Sequence, residues 1–209
     1  MEIHREIIHK LQQWKERKDR KPLILQGARQ IGKTTAIRMF AQESYAHLAE
    51  FNFDKNKELK TLFERTKDIK RILQELTFFT DVPIQAGNTL IFFDEIQECE
   101  EALNTLKYFE EDAPQYHIVA AGSLLGVALN KSGSTFPVGK GNYLQMYPVT
   151  FREYLHSADE RLYHFTEEMT SLESLPEILC NRMTEHFRRY QVCGGLPYIT
   201  SAMLDGEGM

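Results

Sequence analysis

Hydrophobic positions along the 209-residue chain follow two periods. Short unbroken runs, Leu23-Ile24-Leu25, Leu90-Ile91-Phe92-Phe93 and Tyr116 to Gly122, read as strands covered on both faces, as in parallel sheets. Ala49 to Phe53 is a further strand, and Asn142 to Val149 supplies a fifth that ends at Pro148. Helical stripes lie between these runs. Glu2 to Trp14 carries Ile3, Ile7, Ile8, Leu11 and Trp14 on one side, and Thr34 to Glu43 carries Ile37, Phe40 and Ala41. Asp54 to Thr80 reads as one helical stretch, from Leu59 to Phe79. Glu100 to Asp112 turns Leu103, Leu106 and Phe109 inward and is followed by Pro114. From Thr150 onward the pattern is helical only. Phe151 to Leu155 opens one helix, and Leu175, Ile178, Leu179, Met183, Phe187 and Tyr190 stripe another. Gly194-Gly195-Leu196-Pro197 then breaks the chain. Strands alternating with helices predict an α/β fold with three layers around a mostly parallel five-stranded sheet. The expected division is a core over residues 1–149 and a helical, lid-like extension over 150–209.

The run from Gly27 to Thr35, G-A-R-Q-I-G-K-T-T, has the form G-x-x-x-x-G-K-[ST]. Its glycines let the backbone curl so that successive N–H groups (Gly27, Ala28, Arg29, Gln30, Ile31, Gly32, Lys33, Thr34, Thr35) face phosphate oxygens. Lys33 is expected to reach the β- and γ-phosphates and the Thr34 hydroxyl to ligate Mg²⁺. With Gly at about 7% of residues, such a match arises by accident in roughly one chain in a hundred of this length. The apolar strand before it and the helical stripe after it therefore matter as much as the motif.

A second polar site follows the run Leu90 to Phe93. Parallel sheets bind ligands beyond the carboxyl ends of their strands. Asp94 is thus placed to hold Mg²⁺ and Glu95 to orient an attacking water. The plainer alternative makes Asp94 the cap of the next helix. Ser123, at the end of the third long run, is a sensor of the γ-phosphate or a helix cap, and both roles are compatible. Lys140 closes a Gly- and Ser-rich segment, Lys131 to Lys140, and is either a γ-phosphate contact or a surface lysine. Arg29, Arg152, Arg188 and Arg189 are unranked arginine-finger candidates.

Hydrophobic content of 42% and charged content of 26% fit a globular domain, and the length permits a sizeable core. A net charge of −5 argues against a dedicated nucleic-acid binder. The basic stretch Lys15 to Lys21 reads as a solvated connector, with a nucleic-acid or partner contact as the minority reading. Cys99, Cys180 and Cys193 show neither metal spacing nor a disulfide framework, which fits a reducing, cytoplasmic setting. No apolar run approaches the roughly 20 residues of a membrane span.

The phosphate loop, the Asp-Glu pair and the polar strand end together resemble the additional-strand, catalytic-glutamate division of P-loop ATPases. More specifically, G-A-R-Q-I-G-K-T-T, I-F-F-D-E-I-Q, A-A-G-S-L-L-G, F-P-V-G-K, M-Y-P-V-T-F-R-E-Y-L and G-G-L-P resemble a prokaryotic family of AAA-type ATP-binding proteins. The resemblance runs from about Glu2 to Pro197. It implies an ATPase core with a helical extension, ATP and Mg²⁺ as cofactors, and a C-terminal restriction-endonuclease-like domain beyond the G-G-x-P segment. The chain's end at Met209 then reads as the end of a fragment. The family's basic position in F-P-V-G-[RK] falls on Lys140, where lysine lacks arginine's bidentate fork. The expected function is ATP binding with slow Mg²⁺-dependent hydrolysis used as a conformational switch. Partners would be ATP, ADP and a protein or the further domain. The alternatives are a nucleotide-organised partner- or DNA-binding module without turnover, and a small-molecule kinase. The absence of N-K-x-D favours ATP over GTP.

Overall fold

Four-residue and six-residue apolar strands can be buried on both faces only if helices cover them, and the computed structural model has this arrangement. It describes residues 3–123, 141–169 and 176–206. By compactness the chain divides into two units, Ile7–Arg29 with Lys33–Met146, and Met1–Glu6 with Gln30–Gly32 and Tyr147–Met209.

The first unit contains strands β1 (Leu23–Gln26), β2 (His47–Asn52), β3 (Thr89–Asp94), β4 (His117–Gly122) and β5 (Asn142–Gln145), in the sheet order β2-β3-β4-β1-β5. All four pairings among the described residues are parallel. Parallel neighbours need crossovers, and α2 (Lys33–Ser44), α3 (Lys57–Arg65), α4 (Ile69–Leu76) and α5 (Glu100–Asp112) provide them. Helices α3, α4 and α5 bury their apolar faces with Phe51, Phe53 and Phe93 in one core. Phe93 is fully buried, and its ring centroid lies 5.6 Å from Phe63, 5.7 Å from Phe53 and 6.1 Å from Phe109. Helix α1 (Glu6–Glu16) places Trp14 6.5 Å from the Phe40 ring of α2 and 6.3 Å from the His117 ring at the start of β4. His117 Nδ1 shares a 2.7 Å hydrogen bond with the Tyr45 hydroxyl, and burial lowers its pKa to about 4.

The second unit contains α6 (Phe151–Ala158), α7 (Glu160–Glu168), α8 (Glu177–Cys193) and α9 (Pro197–Leu204). Its small core joins Ile3, Val149 and Tyr154, with Tyr190 and Leu204 packed alongside. Thr150 and Glu153 form a reciprocal capping box at the start of α6. Gly195 has φ +72°, and an added Cβ would stand 2.5 Å from the Val149 carbonyl oxygen. Glycine is therefore required at the second position of G-G-L-P on two grounds, conformation and space.

Three expectations are corrected. The stretch Asp54 to Thr80 is two helices and a short 3-10 turn, because Asn56 and Asp68 each cap a new N-terminus: Asn56 Oδ1 accepts from Leu59 N–H, and Asp68 accepts from Lys70 and Arg71 N–H. The first helix begins at Glu6 rather than Glu2. The fifth strand stops at Gln145: Met146 N–H makes its last bond to Gln26, and Pro148 has no N–H to continue a ladder. Leu175 and the segment Lys131 to Lys140 lie outside the described residues.

Candidate functional site

Register determines what meets at the carboxyl edge of the sheet. Asn52 pairs with Asp94, Asp94 with Ala121, and Gln26 with Gly122. The residues that leave these strands, Gly27, Glu95 and Ser123, therefore emerge along one edge with Asn52 and Asp94. Because β4 lies between β3 and β1, Ser123 comes out beside the loop that follows β1.

That loop turns on two residues in the left-handed region, Gln30 with φ 63° and Gly32 with φ 89°. Gly32 suits the left-handed region, and Gln30 accepts its steric cost. The chain enters α2 at Lys33, so the free N–H groups of a helix start lie directly after the curl. Lys33 is 7% exposed, and its ammonium donates to the carbonyls of Gly27 at 2.9 Å and Ala28 at 2.7 Å. Burial lowers its pKa, against the opposing pull of Glu95 and Asp94. Ala28, Arg29, Gln30 and Thr35 are exposed, whereas Gly27 and Ile31 are buried.

The Thr34 hydroxyl lies 3.4 and 3.3 Å from the two Asp94 carboxylate oxygens. Asn52 Nδ2 donates to Asp94 Oδ2 at 3.1 Å, while Asn52 Oδ1 accepts from the N–H groups of Asp54 and Lys55. Burial raises the Asp94 pKa, the neighbouring Glu95 raises it further, and the Asn52 hydrogen bond opposes both. Glu95 has φ 50° and ψ 43°, a left-handed conformation that a residue with a side chain adopts at a cost of about 1 kcal/mol. Its carboxylate accepts from Gln97 Nε2 at 2.6 Å. Arg29 Nε donates to Ser123 Oγ at 3.4 Å. Arg152 is engaged by Glu6 and Glu167, and Arg189 by Glu185. Arg188 is exposed, and Lys140 lies outside the described residues.

The structure thus brings Lys33, Thr34, Asp94, Glu95, Ser123 and Arg29 to one edge. Sequence reasoning misses Asn52. Its signal is a lone amide within the alternating run A-E-F-N-F, one strand away from Asp94. Two oxygen donors just over 3 Å apart are compatible with neighbouring positions around a small hard cation, since oxygens bound at about 2.1 Å and at right angles lie ~3 Å apart. The donor set therefore fits Mg²⁺. Among the described residues no cluster of three or more His, Cys, Asp or Glu offers an all-protein metal cage.

A parallel sheet with β4 inserted between β1 and β3, a phosphate loop after β1 and an Asp-Glu pair after β3 defines a three-layer P-loop NTPase of the additional-strand type. The chain belongs to the AAA domain family, whose sequence model matches residues 19–155. No curated protein matches it. Among solved structures, it is similar to the Walker-type ATPase PABY2304 of Pyrococcus abyssi, at 16% identity and TM-score 0.56, over 98% of this chain and 69% of that one. It also matches a point variant of RuvB from Thermotoga maritima at 17% identity and TM-score 0.49, over 99% and 72% of the two chains. PCH-2 of C. elegans matches at 9% identity and TM-score 0.47, over 98% and 69%. At such identities the likeness to the Pyrococcus protein shows the fold. Family and fold together support ATP binding. No helix among the described residues is long and apolar enough to cross a membrane.

Proposed function

We propose that the chain binds ATP with Mg²⁺, hydrolyses it slowly, and uses the nucleotide state as a conformational switch. The carrying observation is the convergence of the Thr34 hydroxyl and the Asp94 carboxylate beside the buried Lys33 ammonium. The N–H groups of Gly27 to Thr35 bind phosphate oxygens. Lys33, already stripped of most of its water, exchanges its two loop carbonyls for β- and γ-phosphate oxygens. Thr34 and Asp94 hold the cation, which when bound neutralises charge on the phosphates. Asn52 fixes the carboxylate's rotation.

Glu95 orients a water and takes its proton as the water oxygen bonds to the γ-phosphorus and the bond to the bridging oxygen breaks. Ser123 senses the γ-phosphate, with Arg29 as its hydrogen-bond donor. A protein partner, or a further domain joined beyond the G-G-L-P segment, would receive the signal. The three cysteines, none of them joined in a disulfide among the described residues, accord with a cytoplasmic setting.

Phosphate release and ATP affinity, measured on wild type, Glu95→Gln and Lys33→Ala, test this. Glu95→Gln should keep ATP affinity and lose about 10²- to 10⁴-fold in turnover, whereas Lys33→Ala should lose binding. Equal, non-zero turnover in wild type and Glu95→Gln would remove Glu95 from the reaction.

A further inference from the structure

The apex of the phosphate loop, Gln30–Gly32, groups with the helical unit and with the residues before α1. This apex is held by Arg5, a buried guanidinium that no motif singles out. Its Nη1 donates to the Ile31 carbonyl at 2.9 Å, its Nη2 to the Tyr147 carbonyl at 2.8 Å and its Nε to Glu153 Oε1 at 3.2 Å. Glu153 Oε1 also accepts from the Glu6 N–H at 2.9 Å, and its other oxygen accepts from the Thr150 N–H at 2.8 Å. The outer side of Gly32 rests on the same group: a Cβ added there would lie 3.6 Å from Arg5 Nη1 and 3.5 Å from Pro197 Cγ.

We propose that Arg5 is a positioning residue for phosphate binding: it fixes the Ile31–Gly32 peptide so that the Gly32 N–H faces the phosphates. The inference rests on the nucleotide-binding reading above. The peptide is trans and planar, so its carbonyl and its N–H point in opposite directions. A carbonyl held on the outside by a guanidinium commits the N–H to the inside. The same hydrogen bond polarises the peptide and makes its N–H a stronger donor. Glu153 neutralises the guanidinium, so Arg5 acts through orientation and polarisation rather than net charge. Lysine cannot reproduce this, because three acceptors in three directions require the planar fork.

The test uses the full chain as wild type, Arg5→Lys, Arg5→Met and Leu204→Ala, the last thinning the same small core without touching the loop. At a temperature where all variants are folded, Arg5→Lys and Arg5→Met should weaken ATP binding about tenfold, the loss expected for one charge-assisted hydrogen bond. Leu204→Ala should lower Tm and leave ATP affinity unchanged. In the nucleotide-free protein, the amides of residues 28–35 should exchange hydrogen several-fold faster in the Arg5 variants, with the β4 amides unaltered. Unchanged loop exchange would overturn the proposal, as would ATP affinity within twofold of wild type in variants of lowered Tm. If wild type itself binds no ATP, the nucleotide reading fails, and loop exchange still decides whether Arg5 orders the loop. If Arg5→Met does not fold, Arg5→Lys, which keeps the charge opposite Glu153, carries both readouts.

Discussion

Asp94 and Glu153 are both buried carboxylates, 7% and 5% exposed, yet their surroundings are opposite in kind. Glu153 has an arginine beside it and accepts hydrogen bonds from the N–H groups of Glu6 and Thr150. Asp94 forms no ion pair among the described residues. It has Asn52, the Thr34 hydroxyl and its own neighbour's N–H, and it has Glu95 next to it, which repels its ionised form. A structural carboxylate is given an opposite charge by the protein, whereas the carboxylate of the candidate site has hydrogen-bond donors, no opposite charge among the described residues, and a like charge beside it. The difference is legible as a sign: removing charge should harm one and help the other.

The largest break in that contrast is Glu153→Ala. It strands the Arg5 guanidinium and uncaps α6, and a loss of about 3–5 kcal/mol is expected in chemical denaturation. A loss under 1 kcal/mol would mean that the pair only balances its own desolvation. His117 extends the comparison to a buried base. Its folded pKa, about 4, lies below the ordinary histidine value of 6.5, so the folded state binds fewer protons between those values. Stability therefore falls as pH drops from 6.5 through 4, by about 2 kcal/mol once solvent screening is allowed for. Urea titrations across this window should show the fall, and His117→Asn should flatten it.

Asp94→Asn should act in the opposite direction from Glu153→Ala. The folded-state pKa of Asp94 is raised, so ionising it costs stability as pH rises through that value. At pH 7 the neutral amide should therefore stabilise the nucleotide-free protein. The same change should abolish Mg²⁺-dependent ATP affinity; a destabilised Asp94→Asn protein would refute the contrast. Asn52→Ala should have the smallest effect, a loss of about 0.5–1.5 kcal/mol with Mg²⁺ dependence shifted to higher concentration.

Much of this is legible without coordinates. Unbroken apolar runs place the strands, since a strand covered on both faces carries no alternation to mislead. The run Glu100 to Asp112 reads with the bounds it has, because Pro114 follows it. The stretch Asp54 to Thr80 misleads because two caps interrupt a stripe that stays in phase. In the candidate site, residues contiguous in sequence are visible, namely Gly27 to Thr35 and Asp94-Glu95. Those assembled by pairing are not: Asn52 reaches Asp94 only through the β2–β3 register. Arg5 and Glu153 are 148 positions apart, and T-F-R-E announces a cap without naming the arginine that completes it.

The β2–β3 register also governs how this chain can change in length. Side chains alternate faces along a strand, so removing one residue from Leu90 to Phe93 would turn Asp94 away from Thr34 and Asn52, and Phe93 out of its aromatic cluster. One deletion would destroy core and site together. The connection from Thr80 to Asn88, whose residues lie half or fully at the surface, carries no such coupling. In β3 the spacing of the residues, and not their identity alone, is what the core and the site share.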